Sequence, residues 1–351
     1  MVAHLDIDAF YVAAELRRRP ELRGRPVIIA WRGPRAVVLT ASYEARRFGV
    51  SSAMPAARAR RLCTDAVWLA PDMAHYRDRS RELLSLLGEL GVPIEPVSLD
   101  EAYLELTALP YPVAAMSALV GRIEAELGLG ASVGIGPSKL VAKVASDAEK
   151  PRGFVVLSRE QAARRFAGHS PRIIPGIGPR TAERLAAVGI ETIADLQRRT
   201  AQELAPHLGE RLGRELAARA HFHDDGEVAA RALKSRSVES TFDSDVDERA
   251  VLERVLTEQA RRLADGARER GIRGRTVGIK VRLDDFTTRT RARTLPEPTD
   301  DPEVIAEVAV ALLAANPPDR PVRLLGVRLA SLDEGPGRDR AAAALRLPVV
   351  D

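Results

Sequence analysis

Acidic residues at two distant points restrict what this chain can fold into more than any other feature. Asp6 stands in the run His4-Leu5-Asp6-Ile7-Asp8-Ala9-Phe10-Tyr11, and Asp100-Glu101 in Val97-Ser98-Leu99-Asp100-Glu101-Ala102-Tyr103, 94 positions after Asp6. Both runs are otherwise apolar and β-prone, as expected of strands inside a sheet. A bare carboxylate is costly there: two of them about 4 Å apart repel by about 4 kcal/mol at an effective dielectric near 20. A strand that carries acids on a buried edge therefore needs a cation beside it. Ligation by two or three carboxylate oxygens suits Mg²⁺, which keeps waters and substrate phosphates as its remaining ligands. Acids also cap turns and form salt bridges, and Asp100-Glu101 by itself admits either reading.

Length and composition bound the rest. A chain of 351 residues implies two to four domains. With 45% hydrophobic but only 4% aromatic residues, its cores are built from Ala, Val, Leu and Ile. One cysteine, Cys63, excludes a disulfide framework and fits a reducing, cytoplasmic location. Asp6 and Asp8 interrupt the apolar core that a signal peptide needs. The longest apolar helical stretch, 304–315, carries Glu307 and is too short to span a bilayer, so no membrane partner is expected.

The net charge of +4 is unevenly spread. Residues 11–72 hold twelve arginines against five acids, whereas 73–165 hold eleven basic residues against twelve acids. Residues 266–294 hold eight arginines and one lysine against three acids. Basic regions on either side of a near-neutral one with an acid cluster suggest a nucleic-acid surface around a metal site.

The periodicities suggest four pieces in an α+β multidomain chain. A buried strand over 2–10 leads into a short helix at 12–16. Two short β runs (26–30 and 36–40), helical stretches at 42–48 and 55–62, and a longer helix over 73–90 ending at Gly91 follow. A hairpin over 94–99 and 102–106 has Asp100-Glu101 at its turn. A helix over 113–127, a strand over 131–136 and a helix over 138–147 complete the first sheet. Residues 166–231 read as helical, with the turn Ile174-Pro175-Gly176-Ile177-Gly178 before a helix at 179–188. This is the pattern of a helix-hairpin-helix, in which Gly176 and Gly178 expose backbone N–H groups to a phosphate. His207-Leu208-Gly209 is a candidate second, degenerate copy.

After the polar connector Lys234-Ser235-Arg236-Ser237 comes a βαββαβ order: strand 237–242, helix 247–269, strands 276–283 and 287–295, helix 301–315, strand 322–329. Lys280, Arg282, Arg289, Arg291 and Arg293 alternate along the two central strands. Period 2 is expected to place most of them on one open face that tracks a DNA backbone.

Six separated motifs now stand in order: residues 5–11, Ala41-Ser42-Tyr43-Glu44-Ala45-Arg46-Arg47-Phe48-Gly49-Val50, Ser98-Leu99-Asp100-Glu101-Ala102-Tyr103, Ser132-Val133-Gly134-Ile135-Gly136, residues 145–153 (Ala145 to Gly153), and Ile174-Pro175-Gly176-Ile177-Gly178. Together they resemble a Y-family (translesion) DNA polymerase of the bacterial DNA polymerase IV type, from residue 2 to about 332. The resemblance implies a right-hand polymerase: a palm of 1–10 and 73–165, fingers of 11–72, a helix-hairpin-helix thumb of 166–231, a linker of 232–242, a little finger of 243–333, and a flexible tail of 334–351. It implies a distributive, low-processivity enzyme that adds deoxynucleotides to a primer 3′ end and bypasses damaged template bases, acting as a monomer on primer-template DNA.

The roles it implies are specific. Asp6, Asp100 and the carbonyl of Ile7 would hold the Mg²⁺ that travels with the incoming triphosphate. Asp6, Asp100 and Glu101 would hold the Mg²⁺ at the primer hydroxyl, with Mn²⁺ an admissible substitute. Phe10, Tyr11, Thr40, Tyr43, Arg46 and Lys150 would contact the nucleotide, with Tyr11 as steric gate against a 2′-hydroxyl. Asp8 has no metal role and reads as structural. The tail departs from the family: Ala344-Leu345-Arg346-Leu347-Pro348 has the leucine spacing of a clamp-binding peptide without its Gln or terminal aromatic, so a sliding-clamp partner rests on that spacing alone. Two other classes share some of these features. A non-catalytic DNA-binding relative would not need the intact carboxylates, and a nucleotidyl cyclase would need neither the helix-hairpin-helix nor the basic last sheet.

Overall fold

The computed structural model describes residues 1–230 and 232–333. They form two compact units, one of Met1–Ile29, Leu39–Ser52 and Leu62–Ala230, the other of Ala30–Val38, Ala53–Arg61 and the described residues of 232–333. The segment 11–72, expected as a single fingers domain, is thus divided between them. Within the second unit Arg35 ties its loop to the last domain, donating to Phe242 O at 3.1 Å and pairing with Asp245 at 2.7 Å.

The first unit opens with β1 (Val2–Ile7), which turns through Asp8-Ala9 into α1 (Phe10–Arg18). β2 (Val27–Ala30), β3 (Val38–Ala41) and β4 (Val67–Leu69) form a small sheet in the order β3-β2-β4, with α2 (Tyr43–Arg46) and α3 (Ala56–Leu62) between β3 and β4. α4 (Met73–Gly88) is capped by the Asp72 carboxylate, which accepts the His75 N–H. Next come β5 (Ile94–Pro96), β6 (Glu101–Glu105), α5 (Pro112–Arg122) with a π-helical turn over Ile123–Leu127, β7 (Ala131–Gly136), α6 (Lys139–Ala148) and β8 (Phe154–Val156). The five strands β5-β6-β1-β7-β8 make the main sheet, with β1 at its centre, antiparallel to both β6 and β7.

The two faces of that sheet differ in chemistry, and the alternation of the strands decides how. Ala3, Leu5, Ile7, Ala102, Leu104, Ala131, Val133 and Ile135 all point one way and are all buried. The other face carries His4, Asp6, Glu101, Tyr103, Ser132 and Gly134 in register. α6 lies across this second face. It comes so close that a Cβ built on Gly134 would sit 2.1 Å from Ala142 O and 2.3 Å from Ser146 N. Leu140, Val141 and Val144 of the same helix also join the helical core that follows.

That core is made by α7 (Arg159–Arg165), α8 (Pro179–Ala186), α9 (Ile193–Gln197), α10 (Ala201–Leu208) and α11 (Glu210–Ala220) around Ile174, Leu185, Ile193, Leu204, Leu216 and Phe222. Ser158, Thr192 and Thr200 start three of these helices with reciprocal capping boxes.

The last domain consists of β9 (Ser235–Val246), α12 (Arg249–Arg268), β10 (Arg273–Leu283), β11 (Thr288–Thr299), α13 (Pro302–Ala315) and β12 (Val322–Asp333), with sheet order β11-β10-β12-β9. The βαββαβ order holds, but β9 begins at Ser235, so most of 232–242 is strand rather than linker. The single basic face does not hold either. Arg289, Arg291 and Arg293 pair with Val281, Ile279 and Val277, all buried under the helices, whereas Lys280 and Arg282 pair with Thr290 and Thr288. Directly paired residues share a face. The three arginines of edge strand β11 therefore lie on the helix side, where Arg291 meets Asn316 and Arg289 meets Asp319. Lys280 and Arg282 occupy the open side. The tail 334–351, with 344–348, lies outside the described residues.

Gly134→Ala should destabilise the first unit by about 3 kcal/mol, because backbone of α6 rather than a movable side chain fills the space. Urea unfolding followed by circular dichroism reads the difference; wild-type stability in this variant would contradict the close approach.

Candidate active site

Three neighbouring elements bring the acids together. Asp6 on β1 pairs directly with Glu101 on β6, and the Ile7 N–H donates to Asp100 O at 2.9 Å, so all three acids stand at one end of the central strands. The structure thus places Asp6, Ile7, Asp100 and Glu101 at one sheet end. Around them it adds two residues that sequence reasoning passed over, Lys143 and His4, beside Lys150, which was expected as a nucleotide contact. Lys143 on α6 puts its Nζ 2.9 Å from Glu101 Oε2 and 3.4 Å from Asp6 Oδ2. Lys150 is 2.7 Å from the same Asp6 oxygen and 2.8 Å from Asp147 Oδ1. His4, fully buried, has Nε2 3.3 Å from Glu101 Oε2, within ion-pair range though off the angle of a hydrogen bond, and Nδ1 2.8 Å from Ser146 Oγ. A lysine inside the apolar stretch Leu140-Val141-Ala142-Lys143-Val144-Ala145 was the available signal for an acid partner.

The two adjacent acids are shifted in opposite directions. Burial, with repulsion from Asp6 and Glu101, raises the Asp100 carboxyl to about 6, although Ser98 Oγ donates to it at 2.5 Å. The His4 ring and the Lys143 ammonium hold Glu101 down at about 2. Burial opposes the charge on Lys143, but Asp147, Glu101 and Asp6 outweigh it and push its pKa up. The donor set tests well against a hard divalent cation: three carboxylates and one carbonyl, all oxygen, with Asp100 lacking a cationic partner of its own in any described ion pair. Among the described residues, however, no three His, Cys, Asp or Glu side chains stand close enough to form a ready-made cage. Ammonium groups occupy the gap.

The residues expected around a nucleotide are arranged as follows. Tyr11 lies at the start of α1 with its ring stacked on that of Tyr76, centroids 4.4 Å apart and planes 13° apart. Tyr76 is fully buried and donates to Glu15 Oε1 at 3.0 Å, which fixes the stack from below. Phe10 is different: the residue is 1% exposed and its ring belongs to the core. The first turn of α1 has Ala9 at its N-cap, which supplies no side-chain cap. Thr40 is half-buried on β3. Arg46 sits 4.5 Å over the Tyr43 ring and donates through Nε to Ala41 O. Asp8 proves structural, as expected: its carboxylate accepts from the Arg152 N–H (2.8 Å), Ser132 Oγ (2.9 Å) and the Tyr43 hydroxyl (3.1 Å). Gly176 takes φ +94° and Gly178 caps α8 without a side chain.

The Asp100 shift has a stability consequence. Its folded-state pKa, about 6, lies above the ordinary 3.8, so its ionisation disfavours the fold above pH 6 and has no effect below pH 4. Asp100→Asn should therefore stabilise the metal-free protein by about 2 kcal/mol at pH 8, with the gain fading between pH 6 and 4. Chemical unfolding in chelator across that range measures it; a gain that grows on acidification would refute it.

Sequence and structure comparisons agree with this arrangement. A family model described as "impB/mucB/samB family" matches residues 5–147, its C-terminal domain matches 233–342, and "DNA polymerase-iota, thumb domain" matches 172–219. The DNA polymerase IV of Methanoculleus marisnigri is 44% identical over 95% of both chains. That of Streptomyces coelicolor is 41% identical over 98% of this chain and 73% of its own, and that of Caulobacter vibrioides 40% identical over 93% and 82%. A solved "Y-family DNA polymerase chimera Dbh-Dpo4(243-245)-Dbh" shares the fold with a TM-score of 0.84 at 24% identity, covering 95% of this chain and 99% of that one. Relatives of one kind thus match nearly the whole length of this chain, and the chain belongs to the Y-family DNA polymerases, DNA-directed DNA polymerases of the DNA polymerase IV type.

Proposed function

We propose that this polymerase extends primers distributively and past damaged template bases, using two divalent ions at Asp6, Asp100, Glu101 and the Ile7 carbonyl. The observation that carries the reading is the register of β1 and β6, which sets Asp6 beside Glu101 and both next to Asp100. Mg²⁺ is the ion we assign, with Mn²⁺ as a substitute, because the donors are all oxygen. When bound, such ions lower the pKa of the primer 3′-hydroxyl and neutralise charge on the leaving pyrophosphate.

The remaining work falls to the chain. The uncapped first turn of α1 offers backbone N–H groups to the triphosphate. The Arg46 guanidinium and the Lys150 ammonium supply positive charge to it, and the Tyr43 hydroxyl, which donates to Asp8 at 3.1 Å, can donate to the triphosphate by turning away from Asp8. Tyr11, braced by Tyr76, sets a rigid wall under the sugar. The Gly176–Gly178 turn holds a DNA phosphate without reading sequence. Lys280 and Arg282 on the open side of the last sheet, and Arg289, Arg291 and Arg293 along its edge, add phosphate contacts from two faces.

Asp100→Ala should lower template-directed incorporation by at least about 1,000-fold in Mg²⁺ while primer-template affinity stays within a few fold. Single-nucleotide extension opposite normal and N2-alkylated guanine, with fluorescence anisotropy for binding, reads both; full incorporation would defeat the metal-site reading. Tyr11→Ala should reduce the preference for deoxynucleotides over ribonucleotides by at least about tenfold in kcat/KM. An unaltered sugar preference would remove Tyr11 from that role.

A further inference from the structure

We propose that Lys143 is a displaceable counter-ion, which holds Asp6 and Glu101 together while no divalent ion is bound, and that Asp147 is the acceptor to which it withdraws. The inference rests on reading Asp6, Asp100 and Glu101 as the metal site, and it concerns how that site is kept and released rather than what it does.

Three observations support it. The Lys143 Nζ lies 2.9 Å from Glu101 Oε2 and 3.4 Å from Asp6 Oδ2, bridging carboxylates that a metal would need. An ammonium and a divalent ion compete for the charge of those oxygens. Asp147 then stands one turn on along α6, with Oδ2 3.6 Å from the same Nζ and a side chain 48% exposed. Lys143 can therefore pass to it by turning its own stem, with no movement of the helix. Lys150 repeats the pattern, bridging Asp6 at 2.7 Å and Asp147 at 2.8 Å, so Asp147 is the outer partner of both lysines.

The third observation is compositional. Of 53 basic residues only five are lysine, and three of those five are Lys139, Lys143 and Lys150. An arginine here would grip a carboxylate by two parallel bonds in a fixed plane; a lysine is a single charge on a flexible stem that can let go. In a chain that uses arginine almost everywhere else, the two charges over the acids are the releasable kind.

The test is Mn²⁺ binding to the full chain without DNA or nucleotide, followed by the electron paramagnetic resonance of free Mn²⁺ and by calorimetry. Lys143→Met should bind Mn²⁺ about tenfold more tightly than wild type, whereas Lys143→Arg and Asp147→Asn should bind it more weakly. In chelator, Lys143→Met should also melt at a lower temperature, because the Asp6–Glu101 repulsion is then less balanced. Binding by Lys143→Met no tighter than wild type, or tighter binding by Asp147→Asn, would overturn the proposal. If Lys143→Met does not fold, wild-type affinity in both other variants overturns it equally. If wild-type binding is below detection, measurable binding by Lys143→Met supports the proposal and its absence overturns it. The site reading itself fails separately, if adding Asp6→Ala or Asp100→Ala to Lys143→Met leaves Mn²⁺ binding unchanged.

Discussion

The repulsion among Asp6, Asp100 and Glu101 is the constraint to which the surrounding structure answers. Their strands must be buried to hold them rigidly, yet burial is what makes three negative charges expensive. The chain meets this with charges of its own. Lys143 and Lys150 reach in from α6 and the turn that follows it, His4 closes the inner side of Glu101, and Ser98 donates to Asp100. Lys143, Lys150 and His4 are brought there by the tertiary fold, and Ser98 by the turn it shares with Asp100. The acids thus determine the helix laid over them as much as the helix supports the acids.

How α6 gets near enough is a matter of missing side chains. Gly134 and Gly136 on β7 leave no Cβ between strand and helix: one built on Gly136 would sit 2.4 Å from Val141 Cγ1. Ser132 is small enough to sit beneath Asp8 and donate to it. A larger residue at either glycine would press on α6 and move Lys143 and Ser146 away from Glu101 and His4. The run Ser132-Val133-Gly134-Ile135-Gly136 therefore couples packing to chemistry: its odd positions fill the apolar face and its even positions admit the helix that brings the counter-ions.

The same contrast explains what was legible in the chain before the fold was known. The acids, the hairpin around Asp100-Glu101, the glycine turn at 174–178 and the βαββαβ order were readable because each is a local pattern of period or punctuation. β4 and β8, with three residues each, are too short to show a period, and the π turn after Arg122 has no sequence mark of its own. The arginines of β11 misled for a physical reason. An edge strand flanking a covered sheet has few apolar residues to declare its inner face, so alternation reveals that Arg289, Arg291 and Arg293 share a side but not which side. Only the pairing with Val281, Ile279 and Val277 decides it. Lys143 was hidden by distance: its partner Glu101 is 42 residues away.

Adjacent acids with opposite protonation tendencies point to unequal roles. Glu101 has His4 and Lys143 against it and remains charged across the whole physiological range, so its negative charge is already balanced before any ligand arrives. Asp100 has only a serine hydroxyl as donor and a neighbouring tyrosine, Tyr11, whose own pKa its charge helps to raise. Its demand for a cation is therefore the least satisfied in the site. Environment, not residue type, separates the two: on the proposed metal-site reading, Asp100 would be the acid with most to gain from a divalent ion, and Glu101 the one whose ammonium partner would have to leave first.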